Sequence, residues 1–574
     1  MDSSSILSFP VSEVDLRNDI IKKLNEIIDY FEQENIQTIP SNNEMIKFAV
    51  NQISNVDIEI CSKALHALME ITYKGKNYIQ VVIDAGGIEP LRGCLKSENQ
   101  MLVCFATYTL HKVTNGTVEH KEAVVNARII PILIQLLTSS DDHISSQAMA
   151  TISNLLVCES GKFVEVVVEA GAIENIVKLL ESENSFIIFK AVVSLIFSKY
   201  TEEIIRAGAI PALFEILELS EDDDTCAVTE QLLATLAEVD DSIVIDSLDI
   251  LLSENWMICK HAARILSLIA QDSPNNINLM IKNGVIQKIV QLFQSSDVNR
   301  QKAGGFLVIW IADNEEHIQP IIDAGIIPCL VRLLENGEQQ NTVHLFHKTD
   351  IFDFSKSDIC DIAASDICMI ALGNSEQKEL VIQSGCIPLL IKLLKSTNQD
   401  VRHSAINAIL GISECSTIEQ KQVLIDDGIL PFVVELLLDP KLCQLSTEVL
   451  ANIAKKDIAQ VQAIIDANAI PSLIKVLDSP DPDSRESAAL VFYFMTCAMD
   501  ETYNYVVTKT KALPYLVKIL EMNDINDYTI VLPMLVNITF GSDEDVEDVV
   551  NANTIPSIVK FLGTSETLLK KFFQ

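Results

Sequence analysis

The chain contains 574 residues, 48% of them hydrophobic, and its 42 basic and 80 acidic side chains give a formal net charge of −38. A surface this acidic repels the phosphates of nucleic acids and the headgroups of anionic lipids, so we expect no nucleic-acid partner. The longest nearly pure apolar run, at 488–499, is too short to cross a bilayer as a helix, so we expect no direct insertion into a membrane.

Cysteine usage and motif content indicate no catalytic chemistry. The 13 cysteines are scattered without a C-x-x-C pair, and most fall within apolar helical patterns. This predicts reduced, buried side chains without disulfides or a metal site. The sequence has no glycine-rich phosphate loop, no H-E-x-x-H and no G-x-S-x-G motif. We therefore expect no cofactor and no catalytic residue, and we interpret the chain as non-enzymatic.

Residues 1–44 form an N-terminal segment whose only basic residues are Arg17, Lys22 and Lys23. At 14–33 the apolar residues recur with the period of an amphipathic helix. We expect this helix to cap the repeats that follow, because the first unit of a stack would otherwise expose its core.

From residue 45 onward one phrase recurs about every 40 residues: a small residue or Gly, an aliphatic residue, often Pro, and then an aliphatic helix. It reads AGAIPALFEIL at 207–217 and AGIIPCLVRLL at 324–334. A period of this length is typical of a solenoid of stacked helical units. We take the aliphatic residue before the usual Pro as the anchor of each repeat, and the anchors are Ile88, Ile130, Ile173, Ile210, Ile245, Ile286, Ile327, Ile387, Leu430, Ile470, Leu513 and Ile555.

The residues around each anchor predict a sharp corner between two helices. Two positions before the anchor stands Gly in seven repeats and Asn in two, as in Gly208 and Asn468, and one position after it Pro stands in eight. Gly and Asn accept the left-handed backbone that ends a helix, whereas Pro suits the first turn of the next one. Aliphatic residues three and then six or seven positions after the anchor form one buried stripe, and a longer helical pattern follows a polar break. Each unit is therefore predicted to contain three helices.

Two places depart from the regular spacing. The interval between Ile327 and Ile387 is 60 residues long, which we attribute to an insertion at 335–358. The unit at Ile245 lacks both Gly and Pro, and it follows its predecessor after only 35 residues. The acidic run at 221–224 just before it is either a solvated loop or a docking point for a basic segment.

In their combination of Gly, aliphatic anchor and Pro, these units resemble the armadillo repeat over 45–574, with about 12–13 repeats. The resemblance implies an all-α, right-handed superhelical solenoid of armadillo repeats with three helices per repeat. In that family the third helices line a concave groove that receives extended peptides. Carried over to this chain, third helices are expected to start near 58, 101, 144, 187, 225, 256, 298, 359, 400, 442, 483 and 526.

The segments between units are closest in style to importin-α, the adaptor for nuclear localisation signals. That family carries a ladder of Trp on its third helices, each followed one turn later by an Asn that hydrogen-bonds the peptide backbone. Here the ladder is mostly lost, because the only Trp residues, Trp256 and Trp310, do not fit it. The register instead gives five candidate groove residues: Tyr108, Lys112, Asn154, Asn452 and Asn537.

The sequence thus predicts a scaffold or adaptor that binds extended or basic segments of other proteins along an acidic groove. The alternative is a divergent importin-α-like adaptor in nuclear import, although the basic N-terminal segment of that family is not matched. A basic groove for acidic tails, as in β-catenin, is opposed by the net charge. The N-terminus has no pattern of a secretory signal, so we expect a cytoplasmic monomer, also nuclear if it is an import adaptor.

Overall fold

The computed structural model describes residues 13–32, 44–158, 161–272, 274–337, 358–455, 457–497, 501–521 and 525–563. Within these ranges all regular secondary structure is helical. Contacts divide the chain into two compact units, the first with Met1–Ser247 and Arg264–Asn276 and the second with Leu248–Ala263 and Ile277–Gln574. The predicted insertion at 335–358 lies almost wholly outside the described residues, which resume at Asp358.

The helices of the first unit follow one another with short connections. They are α1 (Glu13–Glu32), α2 (Glu44–Gln52), α3 (Ile58–Tyr73), α4 (Lys76–Asp84), α5 (Ile88–Cys94), α6 (Gln100–Thr114), α7 (Val118–Asn126), α8 (Ile130–Leu136), α9 (Asp142–Leu156), α10 (Val164–Glu169), α11 (Ala172–Lys178), α12 (Ser185–Ser198), α13 (Thr201–Arg206), α14 (Ala209–Leu219) and α15 (Asp223–Leu236). A 3-10 turn, Leu179–Glu181, extends α11. The division between the units falls among α16 (Ser242–Ile250), α17 (Trp256–Asp272) and α18 (Pro274–Lys282).

The second unit continues the same pattern. Its helices are α19 (Val285–Gln294), α20 (Val298–Ile311), α21 (Glu315–Asp323), α22 (Ile326–Gly337), α23 (Ile359–Ala371), α24 (Ser375–Gln383), α25 (Cys386–Leu393), α26 (Gln399–Ser413), α27 (Ile418–Asp426), α28 (Leu430–Leu436), α29 (Cys443–Ala454), α30 (Ile458–Asp466), α31 (Ile470–Val476), α32 (Pro482–Cys497), α33 (Glu501–Lys509), α34 (Ala512–Glu521), α35 (Ile525–Thr539), α36 (Asp543–Asn551) and α37 (Thr554–Gly563).

The helices group into repeats of a short first, a short second and a longer third helix, such as α7, α8 and α9. Every third helix starts within two residues of its predicted position. Third helices pack side by side on their neighbours, from α3 through α6, α9 and α12 to α15 in the first unit and from α20 through α23, α26, α29 and α32 to α35 in the second. One side of these helices therefore forms a continuous layer within each unit.

The left-handed corner is formed by the predicted residues. The seven anchor-related Gly have φ between 77° and 85°, and Asn468 and Asn553 have φ of 57° and 63°. At Gly208 an added Cβ would meet nothing within 4 Å, so the backbone conformation alone calls for Gly there. Arg128 occupies the same slot in the repeat of Ile130 and is left-handed as well, with φ of 53°. The corner thus persists where the favourable residue is absent.

The aliphatic stripe of the second helices forms the core. The residue three positions after the anchor is at most 1% exposed in eleven of the twelve repeats, from Leu91 to Leu516. Burying one such side chain contributes about 1.5–3 kcal/mol relative to leaving it in water. The stripe therefore supplies a large, evenly distributed share of the driving force for folding.

The repeat of Ile245 is an exception to the three-helix rule. Residues 237–241 form turns only, so α15 is followed directly by a second helix, α16. The spacing before Ile245 is therefore short because this repeat has no first helix. The prediction of three helices was wrong for this unit, because too few residues remain between Leu236 and the stripe to form a helix.

Helix α1 packs against α3, and its Leu24, Ile27 and Phe31 are fully buried. The Arg17 guanidinium also pairs with Asp57 at 2.6 Å. A capping role for α1 remains a prediction.

The cysteines are all free, and nine of the 13 are buried. Among the described residues no group of three or more His, Cys, Asp or Glu is arranged to hold a metal ion. No single helix in these ranges is long and apolar enough to cross a membrane, whereas the pair α21 and α22, bent by 76° at its repeat corner, passes that test by length and composition.

Candidate peptide-binding face

The exposed side of the third helices carries the candidate residues. We call the exposed side of α6, α9 and α12, with Tyr73 at the end of α3, the first-unit face, and the exposed side of α29, α32 and α35 the second-unit face. Tyr108, Lys112 and Asn154 lie on the first-unit face, all of them half-buried. Asn452 and Asn537 lie on the second-unit face, on α29 and α35, with α32 between those helices.

Lys112 sits between two aromatic rings. Its Nζ lies 5.1 Å from the ring centroid of Tyr73 and 5.1 Å from that of Tyr108. Both distances are within the range of a cation–π attraction. In the peptide groove that the resemblance implies, aromatic rings flank a Lys of the ligand. Here the chain's own ammonium lies between the rings, at the ladder position where importin-α has Asn.

Sequence reasoning missed Tyr73, which is 63% exposed. It lies 39 residues before Lys112 and meets it only because α3 stacks on α6. The signal available in the sequence was an aromatic residue at the end of one third helix and a Lys near the end of the next.

A second set of ring contacts extends the first-unit face. His66 on α3 stacks on Phe105 with centroids 5.6 Å apart and an interplanar angle of 7°. His111 Nδ1 lies 2.6 Å from the side-chain oxygen of Gln147 on α9. Burial lowers the pKa of His111, and the positive charges of Lys112 and Lys190 lower it further.

Lys190 on α12 has its own aromatic neighbours. Its Nζ lies 5.7 Å from the ring centroid of Phe186 and 5.8 Å from that of Phe189. Phe186 and Phe197 on the same helix are each 44% exposed. Aromatic rings and an ammonium group thus lie together where α3 meets α6 and again on α12.

The three candidate asparagines share a contact that the sequence did not predict. Asn154 Nδ2 donates to Thr114 Oγ1 at 3.3 Å, and Asn452 Nδ2 donates to Ser413 Oγ at 3.3 Å. Asn537 Nδ2 donates to Thr496 Oγ1 at 3.4 Å. Each bond joins an Asn to the hydroxyl near the end of the preceding third helix. Asn154 Nδ2 also donates to the main-chain oxygen of His111 at 3.4 Å, and Asn537 Nδ2 also donates to Cys497 Sγ at 3.6 Å. The side-chain oxygen of all three asparagines is therefore left to accept from a ligand, and only Asn452 keeps an N–H as well.

Lysines from first helices fix the backbone beside two of these asparagines. Lys121 Nζ donates to the main-chain oxygen of Asn154 at 2.7 Å, and Lys421 Nζ donates to that of Asn452 at 2.5 Å. Because unpaired carbonyls at a helix C-terminus attract cations, these contacts stabilise the ends of α9 and α29. The asparagines are therefore held by both main chain and side chain.

The two faces differ in charge. Helices α6, α9 and α12 contain a single acidic residue, Asp142 in the first turn of α9, although acidic residues outnumber basic ones almost two to one in the whole chain. By contrast, α29, α32 and α35 contain Glu448, Asp483, Glu486 and Asp527 and one basic residue, Arg485, which is buried. The acidic groove expected from the net charge does not describe the first-unit face.

Acidic residues of the first unit gather instead at an edge formed by loops between second and third helices. A cleft of about 660 Å³ there has an apolar floor that includes Ile188 and Ile216. Its acidic lining residues are Glu181, Glu183, Glu215, Glu221 and Asp222. The side chain of Asp222 accepts a hydrogen bond from the Thr225 hydroxyl and another from the backbone N–H of Thr225, which together lower the pKa of Asp222 and cap α15. The acidic run at 221–224 thus includes a helix cap.

The chain matches the model of the armadillo/beta-catenin-like repeat at 117–157, 374–413 and 457–491. It is 25% identical to importin subunit alpha-8 of Arabidopsis thaliana over 264 residues, which cover 46% of this chain and 52% of the relative. It is 32% identical to importin subunit alpha-2 of Oryza sativa subsp. japonica over 98 residues, or 16% of this chain and 19% of the relative. The chain thus spans about half of the first relative's length and a fifth of the second's.

Among solved structures, a designed armadillo repeat protein in complex with the peptide (KR)4 is 26% identical, covers 44% of this chain and 98% of its own, and has a TM-score of 0.39. The repeat model matches in both compact units, and the same helix triplet, with its left-handed corner and buried stripe, recurs between those matches. The chain therefore contains armadillo repeats in both compact units.

Proposed function

We propose that the chain is a non-catalytic scaffold or adaptor that holds an extended segment of a partner protein against its third helices. The observation that carries this proposal is the set of asparagines on these helices, each held through its amide nitrogen by the preceding third helix and each with a side-chain oxygen left to accept a hydrogen bond. An extended peptide exposes an unpaired N–H and C=O at every residue, and a fixed side-chain amide can bond to both.

On the second-unit face the partner is a basic segment. Glu448 is half-buried on α29, one turn before Asn452, and its carboxylate accepts a hydrogen bond from Gln444 at 3.1 Å. The carboxylates of this face attract Lys and Arg side chains, while Asn452 and Asn537 bind the peptide main chain. Such binding weakens as salt is added, because exposed charges are screened.

A divergent import adaptor is the second candidate. The similarity to two importin-α subunits favours it, as do Asn154, Asn452 and Asn537 in the family's ladder register. The loss of the Trp ladder opposes it: Trp256 is the first residue of α17, and Trp310 lies near the end of α20. A cytoplasmic and nuclear location belongs to this candidate alone.

The test is a titration of the full chain with a fluorescent Lys/Arg-rich peptide at 50 and 300 mM salt. We expect micromolar binding that weakens at high salt. Glu448→Gln weakens it several-fold, whereas the matched control Glu435→Gln, exposed on the second helix α28, leaves it unchanged. Absence of binding, or equal effects of both variants, contradicts basic-segment binding. Binding that persists only with peptides carrying a nuclear localisation pattern selects the import adaptor.

A further inference from the structure

The first-unit face carries positive charge without compensation from its own helices. Among the described residues, neither Lys112 nor Lys190 forms an ion pair with a carboxylate. Glu70 on α3 lies 3.9 Å from His66, whose ring stacks on Phe105. Asp142 stands in the first turn of α9, whereas Tyr108 and Lys112 lie in the second half of α6.

The aromatic rings hold the ammonium groups in place without neutralising them. A cation between two ring faces gains a few kcal/mol at most and keeps its formal charge. Lys112 therefore has a restricted position and can still donate N–H groups to an acceptor outside the chain. The rings also present exposed apolar surface, since Tyr73, Phe186 and Phe197 are all exposed.

We propose that the first-unit face binds an acidic, extended protein segment that carries aromatic or aliphatic residues among its carboxylates. The carboxylates pair with Lys112 and Lys190, and the apolar side chains pack on the rings beside them. Charge complementarity selects this occupant: a basic segment meets two ammonium groups here. Nucleic acid is also anionic, but the remainder of this chain, with its net charge of −38, repels a polyanion of that length.

This inference extends the proposed scaffold function and is independent of basic-segment binding by the second-unit face. The chain then holds two partners, or two segments of one partner, of opposite charge. The local charge of each face sets which of the two segments it holds.

The experiment is a fluorescence-anisotropy titration of the full chain with three 12-residue probes. These are a peptide of Asp and Glu interspersed with Phe and Leu, the same peptide with Lys in place of the acids, and a single-stranded oligothymidylate. The double variant Lys112→Gln, Lys190→Gln is the test protein. Lys178→Gln, exposed on the second helix α11, is the matched control, and Glu448→Gln tests independence from the second-unit face. Circular dichroism verifies that each variant is folded.

We expect the acidic peptide to bind the native chain, to bind the double variant at least tenfold more weakly, and to bind Lys178→Gln and Glu448→Gln unchanged. No binding of the acidic peptide by the folded native chain overturns the inference, as does an equal loss in Lys178→Gln. Tighter binding of the oligonucleotide than of the acidic peptide also overturns it and assigns the face to nucleic acid. If the Lys-containing peptide alone binds, the proposed function survives and this inference fails.

Discussion

The first-unit face and the second-unit face are built from repeats of the same kind, but their side chains carry opposite charge. On the first, Lys112 and Lys190 lie among Tyr and Phe rings, whereas the helices of the second carry Glu448 and Glu486 together with Asn452 and Asn537. The buried stripe and the corner are alike in both units, so the backbone does not determine what a face binds. The few half-exposed side chains of each third helix set the charge of a face, and the net charge of the whole chain hides this difference.

The units also differ inside the third-helix layer. In the second unit Gly305 on α20 faces α23 so closely that an added Cβ would lie 2.2 Å from Ile362 Cγ2 and 2.9 Å from Asp366 Oδ2. Asp366 is fully buried, and neither of its carboxyl oxygens has a hydrogen-bond partner among the described residues. Burial raises the pKa of Asp366 well above its usual range.

The largest effect is expected from Gly305→Ala. The methyl group overpacks the contact between α20 and α23 and lowers the free energy of unfolding by about 1–3 kcal/mol. Urea denaturation followed by circular dichroism measures it. Gly304→Ala is the matched control, because its Cβ would meet its nearest atom, Phe293 Cε1, at 3.2 Å and needs only a small shift. Equal stability of both variants would contradict the close packing of this interface.

Asp366→Asn tests the buried carboxyl of the second unit through the pH dependence of folding stability. Because the carboxyl has a higher pKa in the folded state, the folded state binds more protons, and its contribution to stability falls as pH rises above about 4. The Asn side chain does not titrate, so the stability of the variant relative to the native chain should increase with pH, by at most about 1.4 kcal/mol per pH unit.

Denaturation of the native chain and of Asp366→Asn between pH 4.5 and pH 7.5 measures that difference. Burial also raises the pKa of Asp361 on the same helix, to about 6, but this group is present in both proteins and cancels in the difference. A constant difference across this range would show that Asp366 has the same pKa in the folded and unfolded states.

The next largest effect is expected from the asparagines of the second-unit face, and it concerns peptide affinity. Asn452→Ala and Asn537→Ala each remove a hydrogen bond to a bound peptide main chain, worth about 0.5–1.5 kcal/mol, so affinity for the Lys/Arg-rich peptide should fall about two- to tenfold. Calorimetric titration at low salt measures it. Asn175→Ala on α11, where the amide bonds to Gly171 of its own helix, should bind normally. Unchanged affinity in both face variants would remove these asparagines from the site.

The smallest effect concerns the corners that both units share. Arg128→Gly relieves a left-handed backbone that costs about 1–2 kcal/mol in a residue other than Gly, against about 0.5–1 kcal/mol for the greater freedom of Gly in the unfolded chain. We therefore expect a gain of about 0.5–1 kcal/mol and a higher Tm. Gly208→Ala should lose a similar amount, and scanning calorimetry compares them. A lower Tm for Arg128→Gly would mean that the arginine side chain stabilises the fold.

The recurring motif of Gly or Asn, aliphatic anchor and Pro predicted the fold well. These residues favour a left-handed corner between two helices through their own backbone preferences, so the prediction needs no knowledge of tertiary contacts. The motif did not predict the missing first helix before Ile245, which depends on the number of residues available. The site was less predictable. Lys112 was identified in register, but its partner Tyr73 belongs to another repeat, and the amide of Asn154 turns towards Thr114. Both contacts depend on how adjacent third helices stack, and one sequence contains no direct record of that stacking.

The central claim, that the two third-helix faces prefer ligands of opposite charge, is tested most directly by hydrogen–deuterium exchange of the full chain with each charged peptide in turn. We predict that the acidic peptide slows exchange in α6, α9 and α12 and that the basic peptide slows it in α29, α32 and α35. Protection of the same helices by both peptides would contradict it.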